Sequence, residues 1–332
     1  DHHAWWIHPE DPTFMIDGND GGLAITYDRG ENWRHITNLP VSQFYHIGVD
    51  MELPYNVYGG MQDNGSWYGP AYKFAMFGKI KNSDFKSAGF GDGFDVIPDP
   101  RDSRYGYSMS QGGEFSRYDR VTGVVQNVKP QHPEGKELRF NWDAAMNTDP
   151  FDKSITYGGS QYVHKSTDNG ASWTIISPDL TTNDPEKQKQ YMSGGLTIDD
   201  STAENHTTIL VIEPSSLEQG LIWVGTDDGN VQITRDGGAN WTNVAKNIKG
   251  VPANSWVAQI KHSKFNKGEA FAVIEDHRRD NWEPYVYRTK DYGKSWQRIV
   301  DGNDVWGFAL SFVQDPIEPN LMFVGTEFGL YF

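Results

Sequence analysis

The sequence predicts an all-β fold: a β-propeller of about seven blades, each a four-stranded antiparallel sheet, with the last blade incomplete. Two repeats carry this prediction, an octapeptide that occurs four times and a strand-turn-strand pattern that occurs seven times. The composition agrees with it, since 35 glycines and 14% aromatic residues suit short strands joined by tight turns.

The octapeptide, called the Asp box below, has the form Ser/Thr-x-Asp-x-Gly-x-x-Trp. Its copies span Thr26–Trp33, Ser166–Trp173, Thr234–Trp241 and Thr289–Trp296. The Asp carboxylate can accept backbone N–H bonds in a turn, the Gly adopts a conformation that a Cβ opposes, and the Trp packs under the hairpin. The motif therefore predicts four hairpin turns whose aspartates are structural rather than catalytic.

The second pattern is an apolar strand, a short polar turn and another apolar strand that closes on glycine. Its copies begin at His8, Asp50, Pro98, Thr148, Glu213, His262 and Gln314. A spacing of about 50 residues with about four strands per unit is typical of propeller blades. We therefore expect one propeller domain over residues 1–332, with blades at about 1–40, 41–90, 91–136, 137–180, 204–250, 251–302 and 303–332.

Two features depart from a regular repeat. A polar excursion at residues 179–203, with one helical turn around residues 185–192, is predicted to fold over a face or an edge. The last blade stops after its third strand, and propellers normally close by pairing such an edge. We therefore expect the chain to be a piece of a larger multi-propeller protein, completed by another part of its own chain or by another subunit.

Charge and composition exclude several classes of function. The net charge of -16 disfavours nucleic acid and anionic membrane surfaces as partners, because both require Lys and Arg. No run of about 18 apolar residues occurs, which predicts no membrane span. The chain has no cysteine and hence no disulfide framework. It also lacks a Gly-rich phosphate loop and a GxSxG nucleophile elbow, which argues against nucleotide chemistry and serine hydrolysis.

In a propeller, the loops between the second and third strands and the connections between blades emerge on one face, opposite the Asp boxes. We predict ligand contacts there from His2, His3, Tyr45, His46, Gln62, Asp92, Gln111, Arg139, Trp142, Gln161, His206, Asp227, Asp228, Trp256, Trp306 and Glu327. Turn chemistry alone explains many of the acids and amides. It does not require the three tryptophans, and an acidic, aromatic face suits a sugar or a peptide.

A metal site is an open alternative on the same face. His2, His3, His46 and His206, with Asp1 or Glu204, could bring several ligands together, but no HExxH motif or cysteine cluster is present. Histidines bonded to neighbouring turns are the simpler interpretation. We expect no cofactor, with Ca²⁺ or another divalent metal as the alternative.

Four further segments extend the Asp-box pattern: residues 18–22 (GNDGG), 59–67 (GGMQDNGSW), 225–230 (GTDDGN) and 325–331 (GTEFGLY). Together with the Asp boxes they resemble the sortilin-type, Vps10-like propellers with Asp-box (BNR) repeats in bacterial exported proteins, often labelled glycosyl hydrolases. The resemblance covers essentially the whole chain. It implies a secreted, periplasmic or cell-surface location. The eukaryotic Vps10 receptors bind peptides and proteins, and the two-propeller xyloglucanases are more distantly similar.

Three functions stay open at this point. The first is an exported propeller that binds a glycan or peptide on its acidic, aromatic face. The second is a glycoside hydrolase half-site in which Asp63 or Asp20 pairs with a carboxylate of a second propeller. The third is a scaffold in a larger assembly, which predicts an exposed apolar patch. Whether the protein is an enzyme is not decided by the sequence.

Overall fold

The computed structural model describes residues 1–39, 41–74, 79–189, 203 and 205–332. The chain packs as two compact units, Asp1–Pro98 and Asp99–Phe332. The boundary lies inside the third predicted blade, and each unit is described here by itself. No helix in the described residues is long and apolar enough to cross a membrane.

The first unit contains two complete sheets, each with its strands in chain order. The first sheet consists of β1 (His2–Ile7), β2 (Met15–Asn19), β3 (Gly22–Thr26) and β4 (Arg34–Ile36). The second consists of β5 (Phe44–Val49), β6 (Asn56–Met61), β7 (Gly65–Pro70) and β8 (Lys86–Gly89), with a 3-10 turn at Asn82–Asp84. Strand β9 (Gly93–Pro98) ends the unit and packs against β5 and β6.

The second unit carries the remaining strands. They are β10 (Tyr105–Ser110), β11 (Glu114–Asp119), β12 (Val125–Asn127), β13 (Met146–Thr148), β14 (Thr156–Gly159), β15 (Val163–Ser166), β16 (Thr174–Ile175), β17 (Ile209–Pro214), β18 (Ile222–Thr226), β19 (Val231–Thr234), β20 (Thr242–Asn243), β21 (Trp256–His262), β22 (Ala270–Asp276), β23 (Asn281–Thr289), β24 (Gln297–Val300), β25 (Ala309–Gln314), β26 (Met322–Thr326) and β27 (Gly329–Tyr331). Short 3-10 turns lie at Gln111–Gly113, Ala245–Asn247 and His277–Arg279.

The strands of the described residues form seven antiparallel sheets, six of four strands and one, β25 to β27, of three. Each predicted blade range contains the strands of one sheet. The predicted all-β fold of four-stranded antiparallel blades with an incomplete last blade is therefore confirmed.

The Asp boxes form the turns between the last two strands of their sheets. In the copy after β19, the Asp236 carboxylate accepts bonds from Asn240 N (2.9 Å), Asn240 Nδ2 (2.7 Å) and Thr234 Oγ1 (2.8 Å). These hydrogen bonds lower the pKa of Asp236 to about 2. The indole N–H of Trp241 donates to the Ile176 carbonyl (3.0 Å), which follows β16 of the preceding sheet. This copy of the motif therefore both closes a hairpin and joins neighbouring sheets.

The core of the second unit lies between its sheets. Trp223 on β18 is fully buried and belongs to a cluster with Val257 and Ile260 on β21. A polar contact ties the same two sheets, because the Glu213 carboxylate lies 2.7 Å from His262 Nδ1. Although burial opposes it, the charges and hydrogen bonds of Lys261 and His262 lower the pKa of Glu213 to about 2. Glu213 and His262 each begin a copy of the second repeat.

The described part of the predicted excursion, residues 179–189 and 203, is held to the second unit by hydrogen bonds. Asp228 Oδ2 accepts bonds from the backbone N and the hydroxyl of Thr182, both at 2.7 Å. The Leu180 carbonyl accepts from Asn230 Nδ2 (2.9 Å) and Gln232 Nε2 (3.0 Å). Residues 185–188 form a hydrogen-bonded turn, whereas residues 190–192 of the predicted helical turn lie outside the described residues.

Candidate functional site

In two sheets that contain an Asp box, a predicted site acid and the Asp-box aspartate lie at opposite ends of the same strand. Asp20 is in the turn between β2 and β3, and Asp28 follows the other end of β3. Asp227 likewise precedes β19, whereas Asp236 follows it. This separation follows from the antiparallel hairpin, in which consecutive turns lie at alternate ends of the sheet.

Three histidines of the first unit are each paired with an aspartate. His2 Nδ1 lies 2.8 Å from Asp17 Oδ2, and His3 Nε2 lies 2.5 Å from Asp20 Oδ1. His46 Nδ1 on β5 lies 2.8 Å from Asp95 Oδ1 on β9. The pairing matches the simpler interpretation of these histidines as bonded to neighbouring segments. In the described residues no group of three or more His, Asp or Glu side chains is arranged to hold a metal ion, and Glu204 lies outside them.

Asp63 lies at the tip of the turn between β6 and β7, with a left-handed backbone conformation (φ 59°). Its backbone N–H donates to Asp92 Oδ1 at 2.7 Å, which fixes two acids side by side. Partial burial, followed by the negative charges of Asp20 and Asp92, raises the pKa of Asp63. Like charges disfavour ionisation, so Asp63 holds a proton more readily than an isolated aspartate.

Amide groups connect the turns of the first two sheets. Asn64 Nδ2 donates to the Asp20 carbonyl at 3.0 Å, so the two turns that carry the candidate acids are joined directly. The Asn64 carbonyl in turn accepts the indole N–H of Trp67 at 2.6 Å. Gln62 Oε1 accepts the Tyr45 hydroxyl at 3.1 Å. These bonds hold the turn that contains Asp20 against the turn that contains Asp63, so the positions of the two acids are coupled.

A cavity of about 1180 Å³ opens beside these turns, within the first unit. Its polar part includes His3, Asp20, Gln62, Asp63 and Asn64, and its apolar and aromatic part includes Ile36, Leu39, Phe44, Ile47, Val57, Trp67 and Phe85. The volume is somewhat larger than the roughly 300–1,000 Å³ of typical small-molecule sites, which bury the apolar faces of a ligand while a few polar groups fix its orientation. Phe44 and Trp67 are not among the ligand contacts predicted from the sequence, although Trp67 ends segment 59–67, which extends the Asp-box pattern.

In the second unit, Asp227 is completely buried rather than exposed on a loop. Its carboxylate accepts the Thr208 N–H (2.9 Å), the Thr208 hydroxyl and Asn141 Nδ2 (3.1 Å). Burial, the largest effect, raises the pKa of Asp227 to about 7 despite these bonds. His206 Nδ1 lies 3.8 Å from Asp227 Oδ1, and burial lowers the pKa of His206 to about 4. At neutral pH the imidazole is therefore uncharged.

Three other predicted site residues of the second unit bind the protein itself. Arg139 pairs with Asp179 (2.8 Å) and donates from Nε to the Thr207 carbonyl (3.2 Å). Gln161 is buried and accepts the Arg139 backbone N–H at 2.8 Å. Asp228 is also buried, where it holds Thr182. These contacts give all three a structural role, and a role in ligand binding stays a prediction.

The remaining predicted residues of the second unit lie in turns, in connections between sheets and, for Trp256, at the start of a strand. Gln111 begins a 3-10 turn whose Gly112 N–H donates to the Trp142 carbonyl (3.1 Å). Trp306 and Glu327 are exposed, and the Trp306 carbonyl accepts the Thr326 hydroxyl (2.8 Å). Trp256 starts β21, and the Arg278 guanidinium carbon lies 3.7 Å from the centre of its ring. The predicted residues thus form two groups, one in each unit.

Comparison of the sequence with protein-family models and with curated proteins finds no match. Solved structures are similar: a GH74 xyloglucanase from Xanthomonas campestris has a TM-score of 0.61 and 13% identity, covering 98% of this chain and 50% of that chain. The β-propeller domain of Cps50 (Swd1) from Myceliophteria thermophila has a TM-score of 0.59 and 9% identity, covering 99% and 96%. An extracellular domain from B. thetaiotaomicron has a TM-score of 0.57 and 11% identity, covering 99% and 37%.

These similarities establish the class of protein: the chain is a β-propeller. The chain spans about half the length of the xyloglucanase that it matches. At such low sequence identity the likeness concerns the fold alone, and function has to be argued from the site.

Proposed function

We propose that the cavity of the first unit binds a carbohydrate. The observation that carries this proposal is a single large cavity with acids and amides at one side and aromatic and aliphatic side chains at the other. Sugars present hydroxyl groups to carboxylates and amides, while their C–H faces stack on aromatic rings such as Trp67 and Phe44.

Charge narrows the ligand class. Asp20 and Asp63 line the cavity, and the charges of Asp20 and Asp92 act on Asp63. His3, which is paired with Asp20, carries charge only when protonated. An anionic ligand would meet this negative field and would be repelled. A neutral sugar fits better, and a peptide with basic side chains is the next candidate. This proposal includes a secreted, periplasmic or cell-surface location and membership of the sortilin-type Asp-box group.

The first test is binding of neutral oligosaccharides, with xyloglucan fragments as the probe, measured by calorimetry. We expect Trp67→Ala to weaken binding about fivefold or more, because stacking on an aromatic ring contributes about 1 kcal/mol or more. Trp33→Ala is the matched control, since this partly exposed Asp-box indole follows the opposite end of β3. Equal losses in both variants, or none in Trp67→Ala, would refute a sugar site in this cavity.

A second candidate function is glycoside hydrolysis, with Asp63 as the general acid of a half-site. The raised pKa of Asp63 favours it, because a general acid must keep its proton near the working pH. In this proposal the partner carboxylate comes from Asp20 or from a second propeller. We expect Asp63→Asn to abolish release of reducing ends from xyloglucan by the full-length protein.

The Asp20→Asn variant tests the acid role independently. Removing the negative charge of Asp20 lowers the pKa of Asp63, so the alkaline limb of the pH-rate profile should move to lower pH. A variant that loses activity without a shift of this limb would assign Asp20 a different role. Binding without cleavage in the wild type would reject hydrolysis and leave the binding function. If no glycan binds, a scaffold role would be favoured, and exposed apolar side chains such as Trp5, Trp6, Phe328 and Leu330 agree with it.

A further inference from the structure

A second cavity, of about 610 Å³, lies in the Asp99–Phe332 unit near the ends of β21 and β22. Its lining contains four cations, Lys187, Lys189, Arg278 and Arg279, against three acids. The chain as a whole has a net charge of -16. This cavity is therefore a locally cationic site on an acidic protein, and its chemistry differs from that of the first unit.

Each of the three acids is already neutralised by one cation. Arg278 Nη1 pairs with Glu275, and Arg279 pairs with Asp276 at 2.5 Å. Lys189 Nζ lies 2.6 Å from Glu186 Oε2. Lys187 is the fourth cation, and in the described residues its ammonium has no carboxylate partner. Among the described lining residues, one positive charge is thus left without a carboxylate partner.

His206 and Trp256 form the uncharged part of the lining. Their rings meet edge to face with centroids 5.9 Å apart. Within the described residues, His206 Nδ1 is buried and makes no hydrogen bond. Burial, together with the positive charges of Lys187 and Arg278, keeps the pKa of His206 low, so both cations act on this ring. The cavity therefore offers an unpaired ammonium, a guanidinium, a neutral imidazole and an indole.

We propose that this cavity binds a monoanionic carboxylate through Lys187, with Trp256 and His206 as the wall for the body of the ligand. A carboxylate matches the single uncompensated charge, whereas a phosphate dianion would bring one negative charge too many among Glu186, Glu275 and Asp276. Arg278 and Lys187 supply charge-assisted hydrogen bonds. The inference is independent of the proposed sugar site, because it concerns other residues and a ligand of different charge.

Calorimetry with the full chain and three probes tests the proposal: D-glucuronate, its methyl ester and propionate. We expect D-glucuronate to bind and the uncharged ester to bind at least tenfold more weakly. Lys187→Met should lower the affinity for D-glucuronate at least tenfold, because it removes the charge and keeps the apolar stem. Lys246→Met, at an exposed lysine outside the cavity, should leave binding unchanged.

The titration of His206, followed by NMR of its ring protons, provides a second readout. Lys187→Met should raise the pKa of His206 without any ligand, because a nearby positive charge is removed. Bound D-glucuronate should also raise the pKa of His206 in the wild type, because its carboxylate offsets the positive charge of Lys187. Propionate binding as tightly as D-glucuronate would contradict the role of Trp256 and His206 as a wall for the body of the ligand, because propionate has almost no body to contact it. Equal binding of acid and ester, an unchanged affinity in Lys187→Met, or no binding of any probe would overturn the proposal.

Discussion

Gly60→Ala is expected to destabilise the first unit by about 3 kcal/mol or more, the scale of severe overpacking. A Cβ on Gly60 would lie 2.2 Å from the backbone carbon of Gly93 and 2.2 Å from the Phe94 carbonyl oxygen. Because these are main-chain atoms, relief requires β6 and β9 to separate. Gly93 is also closely packed, since a Cβ there would lie 2.4 Å from the Ser66 hydroxyl oxygen on β7.

Gly18→Ala is the matched control. Gly18 also lies within the second strand of its sheet, but a Cβ there would meet Ala4 at an ordinary 3.5 Å. Urea unfolding followed by tryptophan fluorescence should show a large loss for Gly60→Ala and little change for Gly18→Ala. Similar midpoints for the two variants would contradict the close packing of β6 on β9.

The same packing matters for the candidate site. Gly93 directly follows Asp92, whose carboxylate accepts the Asp63 backbone N–H. Close approach of β6 and β9 therefore places the two acids together at the rim of the cavity. We infer that their arrangement depends on the glycines behind them.

When the pH falls from 8 to 5, the free energy of unfolding of the wild type is expected to rise by about 2.5 kcal/mol relative to that of Asp227→Asn. The reason is that a shift of one pKa unit corresponds to about 1.4 kcal/mol. The pKa of Asp227 is about 7 in the folded protein against 3.8 for the unshifted group. A raised carboxyl pKa means that the folded state keeps its proton longer. The stabilisation is complete below about pH 4 and is lost as the pH rises through 7.

Several groups near Asp227 bear on this measurement. Asp228 raises the pKa of Asp227, and His206, 3.8 Å away, has a lowered pKa that destabilises the fold as the pH falls below 6.5. Lys187, Arg278 and Asp184 act on His206 in turn. Subtracting the free energy of unfolding of the variant from that of the wild type removes the contributions of these other groups, which both proteins contain. Asp304→Asn, at an exposed aspartate, controls for the loss of one charge. A constant difference between wild type and Asp227→Asn from pH 5 to 8 would show that Asp227 is ionised throughout.

The turns and strands could be predicted from the sequence because they depend on interactions between residues close together in the chain. The hydrogen bonds that stabilise an Asp-box turn are made within its eight residues, as between Thr234, Asp236 and Asn240, so the sequence pattern alone predicts the turn. Repeated turns with a constant spacing then determine the strands and their order. The placement of Asp20 and Asp28 at opposite ends of β3 follows from the same antiparallel logic.

The burial and pairing of a polar side chain, by contrast, depend on residues that are distant in the chain. The sequence places Asp227 in a hairpin turn, where acids are common, but in the folded protein its carboxylate is buried and bonded to Asn141 and Thr208. Arg139 pairs with Asp179, 40 residues away in the chain, and its role in ligand binding stays a prediction. Lys187 lies in a polar excursion without any motif, and only its approach to His206 distinguishes it from other lysines.

The sequence by itself thus determined the fold class, the blades and the turns, because those depend on contacts between near neighbours. Only the tertiary structure decided which polar side chains are buried, which are paired and which line a cavity, because burial and charge are set by long-range packing.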